Sequence, residues 1–497
     1  MHSVDTFYHS TRNGDDSVTS KQAILAGIAP DGGLFVSDGL GAEKIDLALV
    51  VGQDYHATAR LVLGTLLGDF SEGEVGACVA GAYADNFDSA AVTPLSPLGD
   101  DWLLELHHGP TCAFKDIALQ MLPRLMSVAR EGDGRDVMIV TATSGDTGKA
   151  ALAGFAGVEG TGVTVFYPEG KVSDIQRLQM VTQQGGNVAV CAIRGNFDDS
   201  QTEVKRIFSD ASLAGRLAAG GTVLSSANSI NVGRLVPQVT YYFDAYAQLV
   251  RRGAVRQGDA VDFYVPTGNF GDVLAGYYAR RLGLPVGRLV VASNTNKVLT
   301  DFIETGTYDR RRDFVKTISP SMDILVSSNL ERLLYYLSDG DCERVRSHMS
   351  DLAERGVYSI DADMHARLRE TFGCGFATDE ETKGTIRSSW EGGHVLLDPH
   401  TAVAKTILDR TPHEGRQRVC LSTASPYKFS ADVLAALGGK TAGLDGFACM
   451  DGLERLSGTA APAQLSRLRY APVIHTDVCG RDEMGSFVER ACQRVFA

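Results

Sequence analysis

From residue 100 onward the chain repeats one local grammar: a short apolar, β-branched run, a turn of glycine and small polar residues, then an alanine- and leucine-rich amphipathic stretch. VMIVTATSGDTGKAALAGFAG, VDFYVPTGNFGDVLAGYYARRLG and RQRVCLSTASPYKFSADVLAAL each read as strand, turn and helix, while GVTVFYPEG and RLVVASNTN supply further strands. This alternation is that of an α/β fold with a parallel sheet joined by helices. Open sheets of this kind bind ligands beyond the carboxyl ends of their strands, where all three specialised turns would lie. One shared site is therefore expected.

The 497 residues exceed what one core organises, so two or three domains of about 100 to 200 residues are expected. The first 95 residues break the pattern, with helical stretches such as DYHATARLVLGTLLG and the turn APDGGLF, and read as a separate N-terminal domain. Between about 307 and 390 the chain is richer in charge, and TYDRRRDF and SHMSDLAERGVYSIDADMHARLRETFG read as solvated surface helices inserted into the α/β region. A formal charge of -14 opposes a nucleic-acid partner, although local donors can still hold small anions. The nine cysteines are scattered and form no C-x-x-C pair, so neither a metal site nor a disulfide scaffold is expected. The opening MHSVDTFYHSTRNGDD has no apolar core of signal-peptide length, and no run approaches the ~20 apolar residues of a membrane span. A cytoplasmic location with no membrane partner is the expectation.

Two of the turns suit an anion. GDTGKA departs from the nucleotide-hydrolase phosphate loop, because Thr143 stands where its first glycine belongs and Ala150 replaces the magnesium-binding hydroxyl. Even so, Ser144, Gly145, Asp146 and Thr147 present backbone amides, hydroxyls and a helix N-terminus; read plainly, Asp146 or Thr147 merely caps that helix. GNFGD, comprising Gly268, Asn269, Phe270, Gly271 and Asp272, lies between a strand and a helix, and its glycines let the backbone approach a phosphate closely. The Asp272 carboxylate has the wrong sign for that role, so its amide is the useful donor while its side chain points elsewhere. In SSANSINVGRLVPQVTYYF, Asn228, Asn231 and Arg234 recur every three residues and share one helical face, either receiving a phosphate or carboxylate or forming a buried polar joint.

Lys115, in HHGPTCAFKDIALQ, would by itself be read as a solvated residue at a helix start. Beside phosphate-binding turns at the edge of a parallel sheet, it is what a Schiff base to a phosphorylated aldehyde cofactor needs, and desolvation would free its amine. Thr423, in STASPYKFS, could place a hydroxyl at a ring nitrogen that is not strongly protonated.

YHSTRN, GIAPDGGLFV, ELHHGPTCAFKDIALQ, TATSGDTGKAA, NSINVGR, VPTGNFGD, LDPHTAVA and STASPYKF follow one another in an order that resembles the threonine synthase family in its longer form. These are pyridoxal-phosphate enzymes of fold type II, the tryptophan-synthase β type. The resemblance implies parallel-sheet small and large domains plus a mainly helical N-terminal domain. Its boundaries would be 1–97 for the N-terminal domain, 98–135 and 225–497 for the large domain, and 136–224 for the small one. It implies pyridoxal phosphate on Lys115, its phosphate within Gly268 to Asp272, and Thr423 at the pyridine nitrogen. Substrate carboxylate and phosphate would lie at Ser144, Gly145, Asp146, Thr147, Asn231 and Arg234. The implied reaction converts O-phosphohomoserine and water to threonine and phosphate, the last step of threonine biosynthesis, in a monomer or alternatively a dimer. A serine or threonine dehydratase of the same fold, or a non-catalytic ligand-binding relative, are the other readings. Ser425 and Tyr427 stand where histidine and alanine are expected, and Val232 and Gly233 where a Trp-Ala pair is.

Overall fold

In the computed structural model, which describes residues 7–132, 134–143, 145–195 and 197–496, two parallel sheets stand side by side and a smaller N-terminal unit packs against them. The larger sheet runs, in spatial order, Phe372–Phe376, Val286–Ser293, Val261–Pro266, Gln417–Ser422, Asp101–Glu105 and Leu95–Leu98. Only the Leu95–Leu98 edge is antiparallel, folding back on Asp101–Glu105 through a hairpin. The second sheet, Asp477–Gly480, Val188–Arg194, Thr161–Pro168, Asp136–Ala142 and Thr222–Ser225, is parallel throughout. Val261–Pro266 and Thr161–Pro168 are buried along their whole length. Helices cover both faces of such strands, so they read as mostly apolar runs without strict alternation of apolar and polar residues.

The N-terminal unit combines a three-stranded antiparallel sheet with the helices Ser20–Ala26, Leu47–Val51, Tyr55–Leu66 and Glu72–Ala82. The joint is the helix Val232–Arg251, buried continuously from Val232 to Leu249 and packed between Tyr55–Leu66, Lys115–Arg130 and Gly271–Arg281. A helix buried on every side, its few polar residues included, lies inside the assembly rather than on its surface.

Three boundaries differ from the sequence reading. Residues 225–497 do not all belong to the large unit: Asp477–Gly480 pairs with Val188–Arg194 in the smaller sheet, and the helix Met484–Val495 packs over that sheet. The returning strand covers an edge whose amides and carbonyls would otherwise be open to unwanted pairing. Leu95–Leu98 belongs to the large sheet, so the N-terminal unit ends slightly before 97. The region near 307–390 is more than surface helices: TYDRRRDF opens with the strand Thr307–Asp309, paired to Val357–Ser359, and Phe372–Phe376 forms the far edge of the large sheet. Among the described residues no helix is long and apolar enough to cross a membrane.

Candidate active site

Lys115 opens the helix Lys115–Arg130 after a loop stitched to its neighbour. Asp101–Glu105 and Gln417–Ser422 are adjacent parallel strands, so the loops after them emerge together. The Phe114 amide donates to the Thr423 carbonyl at 2.9 Å, the Ser425 amide to the Cys112 carbonyl at 3.0 Å, and Ala113 bridges Ala424. Cys112 takes φ 57°, in the left-handed region. The two buried carboxyl oxygens of Asp116 accept from the Thr111 amide at 2.8 Å and the Thr111 hydroxyl at 2.6 Å, which offsets the cost of bending the loop there. Asp116 is thus occupied in shaping the turn.

The Lys115 amine is held at the boundary of the two sheets. Its Nζ lies 3.8 Å from Oδ2 of Asp146, the first residue of the helix Asp146–Phe155, and 4.7 Å from the centre of the Phe114 ring. Burial lowers its pKa to about 8; Asp146 opposes the shift, while Lys428 and Arg234 add to it. An amine near neutrality can both form a Schiff base and move protons. Lys428 is the residue sequence reasoning missed. Its fully buried Nζ lies 2.7 Å from Asp146 Oδ1 and donates to the Thr111 carbonyl at 2.8 Å. Two ammonium groups therefore share one carboxylate, whose pKa they push well below the usual range against the effect of burial. The signal was present: a lysine inside SPYKF, directly after a sheet strand, is placed where ligands bind.

The GNFGD turn is preorganised. The Gly268 carbonyl accepts from Ser327 Oγ at 2.7 Å, and the Asn269 carbonyl accepts from the Asn329 amide at 3.1 Å and from Asn329 Nδ2 at 3.0 Å. In a planar trans peptide the next N–H points opposite its carbonyl, so the Asn269 and Phe270 amides face away from Ser327 and Asn329. Phe270 adopts φ 63° and Gly271 begins the helix Gly271–Arg281, whose first-turn amides have no partner within the helix. A Cβ on Gly268 would meet the Ser321 carbonyl at 2.6 Å, so only glycine fits that wall. Asp272 does turn away: it accepts from Tyr241 at 2.5 Å and Tyr242 at 3.0 Å, and burial raises its pKa to about 6. A ring of amides beside a near-neutral lysine fits the phosphate and aldehyde of pyridoxal phosphate.

Thr423, buried, donates its amide to Thr401 Oγ1 at 3.3 Å, and Thr401 donates in turn to Asp398. Asp398 caps the helix Pro399–Arg410 and also holds His400 Nδ1 at 2.9 Å, while His400 Nε2 accepts the Ser321 amide at 3.1 Å. This chain ties the Thr423 strand end to the wall of the GNFGD turn; LDPHTAVA was noticed in the sequence, but its individual residues were not.

The remaining expected residues divide. Ser144 lies outside the described residues. Gly145 packs against Gln176, where a Cβ would come within 2.5 Å, and Thr147 is half-buried near the start of its helix. Thr143, rather than Asp146 or Thr147, secures that turn, accepting from the Gly145 amide at 3.0 Å and the Gly148 amide at 3.2 Å. Asn231 is committed to structure: its amide donates to the Ile24 and Ser226 carbonyls and accepts from Gly233, capping the helix Val232–Arg251. Both hydrogens of its side-chain amide are spent on this joint. Arg234 is different. It is 3% exposed and donates Nη1 to the Ala227 carbonyl at 2.8 Å, yet its Nε is buried without a partner. Burial lowers its pKa to about 10. The departure at Gly233 has a reason, since a Cβ there would come within 2.7 Å of Leu122, whereas nothing in the structure explains Val232.

Residues 92–423 match the pyridoxal-phosphate dependent enzyme family, residues 7–83 the threonine synthase N terminus, and residues 401–471 the threonine synthase C-terminal region. The chain belongs to the threonine synthase family. It is 40% identical to threonine synthase of Pseudomonas aeruginosa over 85% of this chain and 88% of that one. The crystal structure of pyridoxal-phosphate-bound threonine synthase from Brucella melitensis superposes with a TM-score of 0.88 at 35% identity, covering 99% of this chain and 100% of the other. Threonine synthase-like 1 of Macaca fascicularis is 38% identical over 84% of this chain, and the chain spans 58% of that protein's length. Membership makes pyridoxal phosphate the cofactor and fold type II the architecture.

Proposed function

We propose that the chain converts O-phosphohomoserine and water to threonine and inorganic phosphate. The observation that carries the reading is Arg234: a buried guanidinium with an unpartnered Nε and, among the described residues, no carboxylate paired with it, close enough to Lys115 for their charges to act on each other. A buried cation lacking a counterion suits a site completed by an anionic substrate. The threonine synthases of Pseudomonas aeruginosa and baker's yeast, of which this chain spans 88% and 90%, carry the corresponding name.

Lys115 would hold pyridoxal phosphate through its amine, Gly268, Asn269, Phe270, Gly271 and the Asp272 amide its phosphate, and Thr423 its ring nitrogen. The cofactor supplies a conjugated system that delocalises the carbanion formed at the substrate's α carbon. Lys115, with a pKa near 8, takes the α proton and holds it for return to the carbon chain. Arg234, with the amides of Asp146 and Thr147 at the start of the helix Asp146–Phe155, binds the substrate's phosphate and carboxylate and orients the γ ester for departure. The site lies between the two sheets, so their contact across Asp146 and Lys428 excludes water before elimination.

Incubating the cofactor-loaded protein with O-phosphohomoserine should yield threonine and phosphate in equal amounts. Phosphate accompanied by a 2-oxo acid would place the chain with the dehydratases, and no phosphate release would overturn the reading.

A further inference from the structure

We propose that Lys428 is a positioning residue that governs when Lys115 gives up its proton, by dividing Asp146 between two ammonium groups across the boundary of the two sheets. The inference rests on the reading of Lys115 as the cofactor lysine and assigns its control to a residue outside that reading.

The three groups come from separate parts of the fold. Lys428 lies in the short helical turn Pro426–Phe429 after a large-sheet strand, Asp146 begins a helix of the smaller sheet, and Lys115 begins the helix that leads from one sheet to the other. Lys428 has no exposed side-chain surface, and two bonds fix its Nζ: Asp146 Oδ1 at 2.7 Å and the Thr111 carbonyl at 2.8 Å. Thr111 is locked in turn to Asp116, the residue after Lys115. Lys428 is therefore anchored to the frame that carries Lys115 and cannot swing to water without breaking both bonds. Lys115 has the weaker hold on the shared carboxylate, at 3.8 Å, and retains some exposure.

The charged groups that act on Lys115 are Asp146, Lys428, Arg234, Asp116 and, from the GNFGD turn, Asp272. Burial raises the pKa of both Asp116 and Asp272, which leaves Asp146 the carboxylate most firmly ionised beside three cations. Of the two ammonium groups on Asp146, Lys428 holds the closer oxygen and Lys115 is the more weakly held. Asp146 belongs to the smaller sheet's unit, so the shared carboxylate exists only while the two units are in contact. Contact between the units thus sets how firmly Lys115 keeps its proton.

The test reads the visible absorbance of the bound cofactor against pH in the wild type, Lys428→Met, Lys428→Arg and Asp146→Asn. Removing the Lys428 charge gives Asp146 wholly to the lysine nitrogen, so the midpoint should rise by about one pH unit in Lys428→Met. Asp146→Asn should lower it, and Lys428→Arg, which keeps the charge, should leave it near the wild-type value. A role confined to packing would not move the midpoint in opposite directions. Equal midpoints in wild type and Lys428→Met, or shifts of the same sign in Lys428→Met and Asp146→Asn, would overturn the inference. Should Lys428→Met fail to fold, Asp146→Asn decides, and an unmoved midpoint there overturns it. A wild-type protein that takes up no chromophore would refute the cofactor reading of Lys115 itself, an outcome separate from either result.

Discussion

Replacing Arg234 with methionine tests the reading most directly, because the guanidinium destabilises the free protein and should repay that cost only when an anion is bound. Burial lowers its pKa from the ordinary 12.5 to about 10. The folded value lies below the unfolded one, so the charged form is penalised at every pH below about 10, and the penalty is relieved only as pH rises through that value. The difference corresponds to about 3 kcal/mol at neutral pH. Methionine removes that penalty and the Nη1 bond to the Ala227 carbonyl, a loss of about 1 kcal/mol. The ligand-free variant should therefore melt no lower than the wild type. An anion that recovers the ~3 kcal/mol in the transition state corresponds to about a hundredfold in kcat/KM, so turnover of O-phosphohomoserine should fall by at least that factor. Cofactor affinity should be unchanged, and the stabilisation given by added phosphate should disappear. Melting curves with and without phosphate, run beside steady-state phosphate release, measure both sides. A variant with a lowered melting temperature and undiminished stabilisation by phosphate would show that Arg234 is a structural joint, and the reasoning would fail.

Lys115→Ala should remove both the visible chromophore and phosphate release, as read by an absorbance spectrum and a phosphate assay. Gly268→Ala brings a Cβ to 2.6 Å from the Ser321 carbonyl and 3.4 Å from Met322 Cα, so cofactor titration into the apoprotein should show at least a tenfold weaker dissociation constant with the circular dichroism unchanged. Asp272 has a folded pKa of about 6 against an ordinary 3.8, so the folded state holds its proton more tightly and stability is lost as pH rises from about 4 to about 6, by about 3 kcal/mol in all. Asp272→Asn should remove that portion of the slope in denaturation midpoints at pH 4.5 and 7, while buried Asp244, also raised to about 6, contributes equally to both proteins and cancels.

The strand-turn-helix units were legible because a strand buried on both faces is mostly apolar along its length and the turn after it is glycine-rich or polar. Both properties are local, as Val261–Pro266, apolar but for Asp262, followed by GNFGD shows. The turn away by Asp272 was legible as well, since a carboxylate cannot share a concavity with a phosphate. What stayed hidden depended on pairings distant in sequence. Asp477–Gly480 resembles any short edge strand, and nothing in its four residues names Val188–Arg194 as its partner. Asn231 and Arg234 look alike as polar residues on one helical face, yet the Ile24 and Ser226 carbonyls fully engage the first while the second keeps a buried donor free.

Composition and motif order alone determined a parallel α/β chain with a candidate cofactor lysine at 115 and an anion-binding turn at 268–272. Only the tertiary structure decided which charges act on that lysine. A pKa is set by burial and by charges within a few ångströms, and here those charges come from residues 31 and 313 positions further along the chain, Asp146 and Lys428.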